Sequence, residues 1–111
     1  MKLPNGSLAT VDERKVADYL LNSTHPDNGG KAAFFRALGY SVQSTASLRL
    51  ALLELAREGN VVHHVESVHG RKYVVDGVIK APAGKSAMVR TVWIVDTGDT
   101  VPRLVTAYPG E

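Results

Sequence analysis

The hydrophobic periodicity of this chain changes near Gly59. Before this point apolar residues recur three or four positions apart, as on one face of a helix; after it, β-branched residues alternate as in strands. Helices and strands that are segregated along the chain are typical of the α+β class. The sequence therefore predicts one α+β domain over residues 1–111, with N-terminal helices (1–60) packed on a four-stranded antiparallel meander sheet (61–111).

Three helices are predicted in the first part. The first follows Asp12, a suitable N-cap, and runs for about three turns. The second begins at Lys31 and ends before Gly39, because glycine favours the left-handed backbone found after helix C-termini. The third is capped by Ser44 or Thr45 and carries an apolar stripe.

Four strands are predicted in the second part. A hairpin is formed by VVHHVESV and RKYVVDGVIK around a turn at His69 and Gly70, and the last strand is RLVTAY. Between them lies SAMVRTVWIVD, in which Met88, Val92 and Ile94 alternate with residues of the opposite face. This alternation is the strongest in the chain and predicts a central strand.

Composition and motifs exclude several classes of function. The chain has no cysteine, which rules out disulfides, thiolate nucleophiles and Cys-ligated zinc. His63 and His64 are adjacent in a strand, point to opposite faces and cannot chelate one metal together. No metal-binding, phosphate-loop or hydrolase motif occurs, so neither a metal nor a cofactor is expected. Without a membrane-length apolar run or a secretory signal, the expected location is cytoplasmic, or inside a larger secreted machine.

The basic residues of the sheet region are candidates for nucleic-acid binding. The formal net charge is only +2, so their distribution matters more than the total. Cations on neighbouring strands can form one positive face for phosphates. They also occur on exposed strands simply to protect edges and keep a protein soluble. The candidates are Arg71, Lys72, Lys80, Lys85 and Arg103.

Arg90 is a candidate catalytic residue because it lies in the middle of the predicted central strand. A charge at such a position needs an anionic partner. Two interpretations are open: an ion pair with Asp76 or Glu66, or a cleft in which the planar guanidinium holds a phosphate.

The predicted loop NSTHPDNGG, residues 22–30, adds His25 and brings it close to Lys31. Histidine can transfer protons near neutral pH, and a lysine beside the first amides of a helix can hold an anion. In the last strand Thr106 and Tyr108 share one face, where with Arg90 they can hold a phosphate. A structural explanation is open for each pair. His25 and Lys31 can simply be a turn residue and a solvated lysine, and Thr106 and Tyr108 can occur here because both residue types favour strands.

The segments YLLN, HP, GGKAAFF, LGY, GRKYVVDG, VRTVWIV and PRLVTAYP resemble a family of small uncharacterised bacterial domains of unknown function over residues 3–109. Its members are similar to the C-terminal tips of polymorphic toxins and occur beside small partner genes. This resemblance implies a toxin or toxin-derived domain, with a small antitoxin or immunity protein as its partner.

A second resemblance is to the ribonuclease fold shared by barnase, EndoU, two colicin ribonucleases and RelE. Members of that group cleave RNA without a metal, and their active faces combine His, Lys, Arg and Thr or Tyr. By matching position, the resemblance implies a site formed by His25, Lys31, Arg90, Thr106 and Tyr108. The sequence departs from the group because it contains no clear His-x-x-Lys-His element. The resemblance therefore does not identify the general base.

Two functions from different classes follow. The first is a metal-independent ribonuclease. In it His25 or Tyr108 transfers protons, Arg90 and Lys31 bind the phosphate, and Thr106 has a positioning role. The second is a non-catalytic protein-binding module, an inactive toxin relative or the partner of a small neighbouring protein. An immunity protein fits less well, because inhibitors of ribonucleases are commonly acidic and this chain is basic.

Overall fold

The computed structural model describes residues 1–21, 31–82 and 84–110, with the side chains of all of these except Tyr19 and Val42. The helices in these ranges are α1 (Glu13–Lys15), α2 (Lys31–Ala37) and α3 (Thr45–Glu58). The strands are β1 (Asn60–Ser67), β2 (Gly70–Lys80), β3 (Ser86–Asp96) and β4 (Arg103–Pro109). The predicted α+β class is confirmed, with the helices before the strands.

The described strands form one antiparallel sheet in the order β1-β2-β3-β4. Each strand pairs with the next along the chain, so the predicted meander and the central position of β3 are both confirmed. The register places Asn60, Asp76, Arg90 and Tyr108 side by side across all four strands. This row crosses the face of the sheet that carries the candidate site.

The two faces of the sheet carry different side chains. The helix-side face presents Val75, Thr91 and Trp93, all fully buried, beneath α3. Helix α3 lies close to the backbone of β2 at Gly77. A Cβ at this position would lie only 2.8 Å from Cγ of Leu55 on α3. The outer face presents the alternate residues of the same strands, Asp76 and Val78 on β2, Met88 and Arg90 on β3, and Thr106 and Tyr108 on β4.

The N-terminal segment adds a short parallel pairing to the edge of β4. The Thr10 N–H donates to the Pro102 carbonyl at 2.9 Å, and the Leu104 N–H donates to the Thr10 carbonyl at 3.0 Å. The β4 edge of the sheet is therefore partly covered by the chain itself.

The first helix is shorter than predicted. Asp12 is its N-cap and accepts a hydrogen bond from the Arg14 N–H, but after Lys15 the chain continues as a π-helical segment, Val16–Leu20. The Leu21 N–H bonds to the Val16 carbonyl, five residues back. This wider turn allows the adjacent residues Leu20 and Leu21 both to be buried, and two turns replace the expected three.

The other helix ends agree with the sequence in part. Gly39 follows α2 with a φ of 99°, as expected for a residue after a helix C-terminus. Ser44 is the N-cap of α3, but its side chain makes no capping hydrogen bond. The capping hydroxyl is that of Ser41, which accepts from the Gln43 N–H at the start of a 3₁₀ turn preceding α3.

Candidate active site

Lys31 links α2 to the outer face of the sheet. It is the first residue of α2, and its Nζ donates to Oγ1 of Thr106 at 3.0 Å. The same Nζ lies 6.0 Å from the ring centroid of Tyr108. Thr106 and Tyr108 alternate with the buried Ala107, which explains why both face the same side.

Arg90 lies directly opposite Tyr108 in the β3–β4 register, and opposite Asp76 in the β2–β3 register. Its Nε and one Nη bond to the two carboxylate oxygens of Asp76, each at 2.8 Å. Of the two partners that the sequence suggests, Asp76 is thus the observed one. The Arg90 side chain is 36 % exposed and that of Asp76 is 16 % exposed, so the pair lies on the sheet surface and is not buried beneath the helices.

The structure therefore brings four of the five catalytic candidates to one side of the sheet. Lys31 and Arg90 supply two cations, while Thr106 and Tyr108 supply two hydroxyls. Neither cation sits in an apolar environment: Lys31 contacts a threonine hydroxyl, and Arg90 contacts a carboxylate. The fifth candidate, His25, lies outside the described residues.

The nucleic-acid candidates are divided between the faces. By strand alternation Lys72, Lys80 and Arg103 belong to the outer face. Arg71 belongs to the helix-side face, where it donates to the Tyr73 hydroxyl. Lys85, the remaining candidate, is exposed in the connection between β2 and β3.

Two of these arginines are ion-paired within the chain. Arg71 bonds to Glu66, and hydrogen bonds from Arg71 to Tyr73 and Glu66 raise the pKa of its guanidinium. Arg103 bonds to both oxygens of Asp96, at 2.7 and 3.0 Å. This contact raises the pKa of Arg103 and lowers that of Asp96 below its ordinary value of 3.8.

Among the residues that the structure describes, no group of three His, Asp or Glu side chains could hold a metal ion. In the same residues no helix is both long and apolar enough to cross a membrane.

Comparison with known families identifies the domain. A family model described as a domain of unknown function, DUF6883, matches residues 2–111. The chain belongs to this family. The predicted resemblance to an uncharacterised domain family is thereby confirmed, whereas no curated protein matches the chain.

The DUF6883 chain also resembles a solved structure. A chain of the contact-dependent growth inhibition toxin–immunity protein complex from Klebsiella pneumoniae 342 is similar with a TM-score of 0.73 and 22 % sequence identity. The match covers 91 % of this chain and 99 % of that chain. At this identity the likeness concerns the fold, and it supports the α+β architecture described above.

In the DUF6883 domain two carboxylates pair with candidate cations. Asp76, which the sequence suggests as a partner, bonds to Arg90, and Asp96, which the sequence analysis does not name, bonds to Arg103. Asp76 is one of the two partners that the sequence suggests for Arg90, and the β2–β3 register selects it. The Arg103–Asp96 contact also needs the β3–β4 bulge, where the register shifts between Val92 and Trp93.

Proposed function

We propose that this DUF6883 domain is a metal-independent ribonuclease of the toxin type, cleaving RNA at phosphodiester bonds on the outer face beside β4. One observation carries the proposal: Lys31, which is far from β4 in sequence, bonds to Thr106 and lies beside Tyr108, which is opposite Arg90. Two cations and two hydroxyls therefore share one face of the sheet, and these are the kinds of group that phosphate binding and proton transfer require.

The two cations are held in position before any substrate binds. Thr106 accepts a hydrogen bond from Lys31, and the carboxylate of Asp76 fixes the guanidinium plane of Arg90 through two bonds. Cations that are fixed in advance stabilise developing charge without a reorganisation cost during the reaction. Lys31 and Arg90 are therefore assigned to the phosphate, with Thr106 and Asp76 as positioning residues.

The reaction begins when a base removes the proton of the ribose 2′-hydroxyl. The 2′-oxygen forms a bond to phosphorus, and the phosphorane formed is stabilised by the cations. The bond from phosphorus to the 5′-oxygen then breaks, and an acid donates a proton to the leaving oxygen. Tyr108 and His25 are the candidates for these proton transfers, and the Tyr108 ring centroid lies 6.0 Å from Nζ of Lys31.

The fold comparison supports a toxin-related role. The similar structure comes from a complex of a growth inhibition toxin with its immunity protein. By this analogy a small protein is the expected partner, as toxin and immunity protein are partners in that complex.

The direct test incubates the purified protein with total RNA in EDTA and follows cleavage on a denaturing gel. We expect wild type to cut, and Lys31→Gln to cut roughly a hundred-fold more slowly, because removing one fixed transition-state donor typically costs 10²–10³ in rate. Arg36→Gln is the matched control, since it removes an exposed cation from the same helix outside the site. Intact RNA at high wild-type concentration, or equal cutting by Lys31→Gln, refutes the proposal.

The identity of the proton-transfer group is tested with Tyr108→Phe and His25→Ala. Tyr108→Phe retains the ring beside Lys31 and removes only the hydroxyl. The variant that removes the essential group should lose roughly 10²–10⁴ in rate, and the other should lose much less. If neither variant is slowed, the proton-transfer assignment is wrong even if the RNA is cut.

A protein-binding module is the second candidate, and the ion pairs favour it. Arg71, Arg90 and Arg103 each contact a carboxylate of this chain, which lowers the net positive potential available to RNA. This function predicts no cleavage, a wild-type gene that is tolerated on expression, and a stoichiometric complex with the product of an adjacent small gene in calorimetry. RNA cleavage that Lys31→Gln abolishes would exclude it.

A further inference from the structure

We propose that two copies of this chain pair through their β1 edges, in an antiparallel register centred on Val65. The resulting dimer has a continuous eight-stranded sheet. This inference is independent of the ribonuclease proposal, because β1 and β4 are opposite edges of the described sheet.

The two edges differ in how the chain covers them. On the β4 side Thr10 pairs with the edge, and Pro109, which has no N–H, ends the strand. On the β1 side Met1 covers only the start, where its carbonyl accepts from the Val61 N–H at 2.8 Å. From Val62 onward, none of the other described segments pairs with the outward backbone of β1. An uncovered strand edge of this length is a template for pairing with another strand.

The hairpin geometry determines which residues of β1 point outward. Ser67 pairs with Gly70 across a two-residue turn, so Ser67 and Val65 direct their backbone groups toward β2. His64 and Glu66 therefore direct their N–H and C=O groups outward. When His64 of each copy lies opposite Glu66 of the other, each of these two pairs exchanges two backbone hydrogen bonds, which gives four between the copies.

Side chains in this register are self-complementary. The imidazole of His64 faces the carboxylate of Glu66 from the second copy, and symmetry repeats the pair. Both side chains are exposed and belong to the helix-side face, opposite Tyr73 and Arg71 respectively. Hydrogen-bonded or oppositely charged pairs at facing positions stabilise an antiparallel sheet.

The same register also pairs an exposed valine of β1 with itself. Val65 lies opposite its own copy at the two-fold axis, and its side chain is 47 % exposed in the single chain. The pairing is confined to the regular part of β1, between the register shift at Val61–His63 and the turn after Ser67. A one-residue shift of register would leave His64 and Glu66 unmatched and move Val65 away from its own copy.

Cysteine cross-linking tests this register directly, because the native chain contains no cysteine. Facing residues that do not exchange hydrogen bonds have Cα atoms about 4.5 Å apart, within the range a disulfide needs. Val65→Cys should therefore oxidise to a covalent dimer much faster than Val78→Cys, an exposed position on the outer face of β2. Equal rates for the two variants would overturn the proposed register.

Sedimentation velocity over a concentration series tests the association without a cross-link. Wild type should show a monomer–dimer equilibrium, and Val65→Lys should raise the dissociation constant roughly tenfold by placing two lysines opposite each other. Val78→Lys is the matched control and should associate like wild type. A wild type that remains monomeric at millimolar concentration, or a dimer that Val65→Lys leaves unchanged, refutes the pairing whether or not RNA is cleaved.

Discussion

Thr91 connects two buried groups in the core, and its hydroxyl allows a quantitative prediction. Its Oγ1 accepts from the indole Nε1 of Trp93 at 2.7 Å and donates to the Val75 carbonyl at 2.8 Å. Thr91 and Trp93 are fully buried, so water cannot replace the lost partner. Thr91→Val keeps the shape of the side chain and removes only the hydroxyl.

The expected cost is that of a buried indole N–H with no acceptor. Such an unsatisfied donor destabilises a folded protein by about 1–3 kcal/mol. At about 4 °C per kcal/mol for a domain of this size, Tm should fall by roughly 4–12 °C. Because the substitution conserves volume, little of this loss comes from a cavity.

Urea unfolding followed by far-UV circular dichroism measures the loss. Trp93 is the only tryptophan, so its fluorescence gives a second probe at the same position. Thr91→Val should cost about 1 kcal/mol less in a Trp93→Phe background, where no indole N–H remains to be satisfied. Equal costs in both backgrounds, or a Thr91→Val protein as stable as wild type, would refute the hydrogen-bond explanation.

Two further predictions concern a surface pair and a packing contact. Asp96 has a lowered pKa because of its hydrogen bond with Arg103, so the pair stabilises the fold above the ordinary pKa of 3.8, and this contribution is lost as the pH falls through the depressed value. Arg103→Gln should move the Asp96 pKa back toward 3.8 in a carboxyl NMR titration, and an unchanged pKa would contradict the assignment. Gly77→Ala should destabilise the fold by about 1–3 kcal/mol in thermal unfolding, because its Cβ would press on Leu55 of α3. A variant as stable as wild type would mean that α3 can shift without cost.

The strands were predictable because their signal is local. In β3 the alternation around Trp93 separates the two faces without knowledge of any partner. The hairpin was also predicted, but its turn lies one residue earlier than the predicted His69 and Gly70: Ser67 pairs with Gly70, so the turn residues are Val68 and His69. The π-helical segment was not predictable in this way. Its wider turn follows from burying Leu20 and Leu21 together against the rest of the core, which is a tertiary requirement.

The candidate site shows the same division. Alternation along β4 places Thr106 and Tyr108 on one face, and this could be inferred from the sequence. The contact from Lys31 to Thr106 joins residues 75 positions apart, and it depends on where α2 packs beside β4. No local pattern contains that information.

Arg90 illustrates the physical reason for this division. The sequence alone determined that its side chain leaves the sheet on the face away from Trp93, because the direction of a strand side chain depends only on its position in the alternation. Whether that charge meets Asp76, Glu66 or a ligand was decided by the tertiary structure, since an ion pair depends on which strand lies alongside and in which register. Backbone geometry acts between neighbours in sequence, whereas electrostatic partners are neighbours in space.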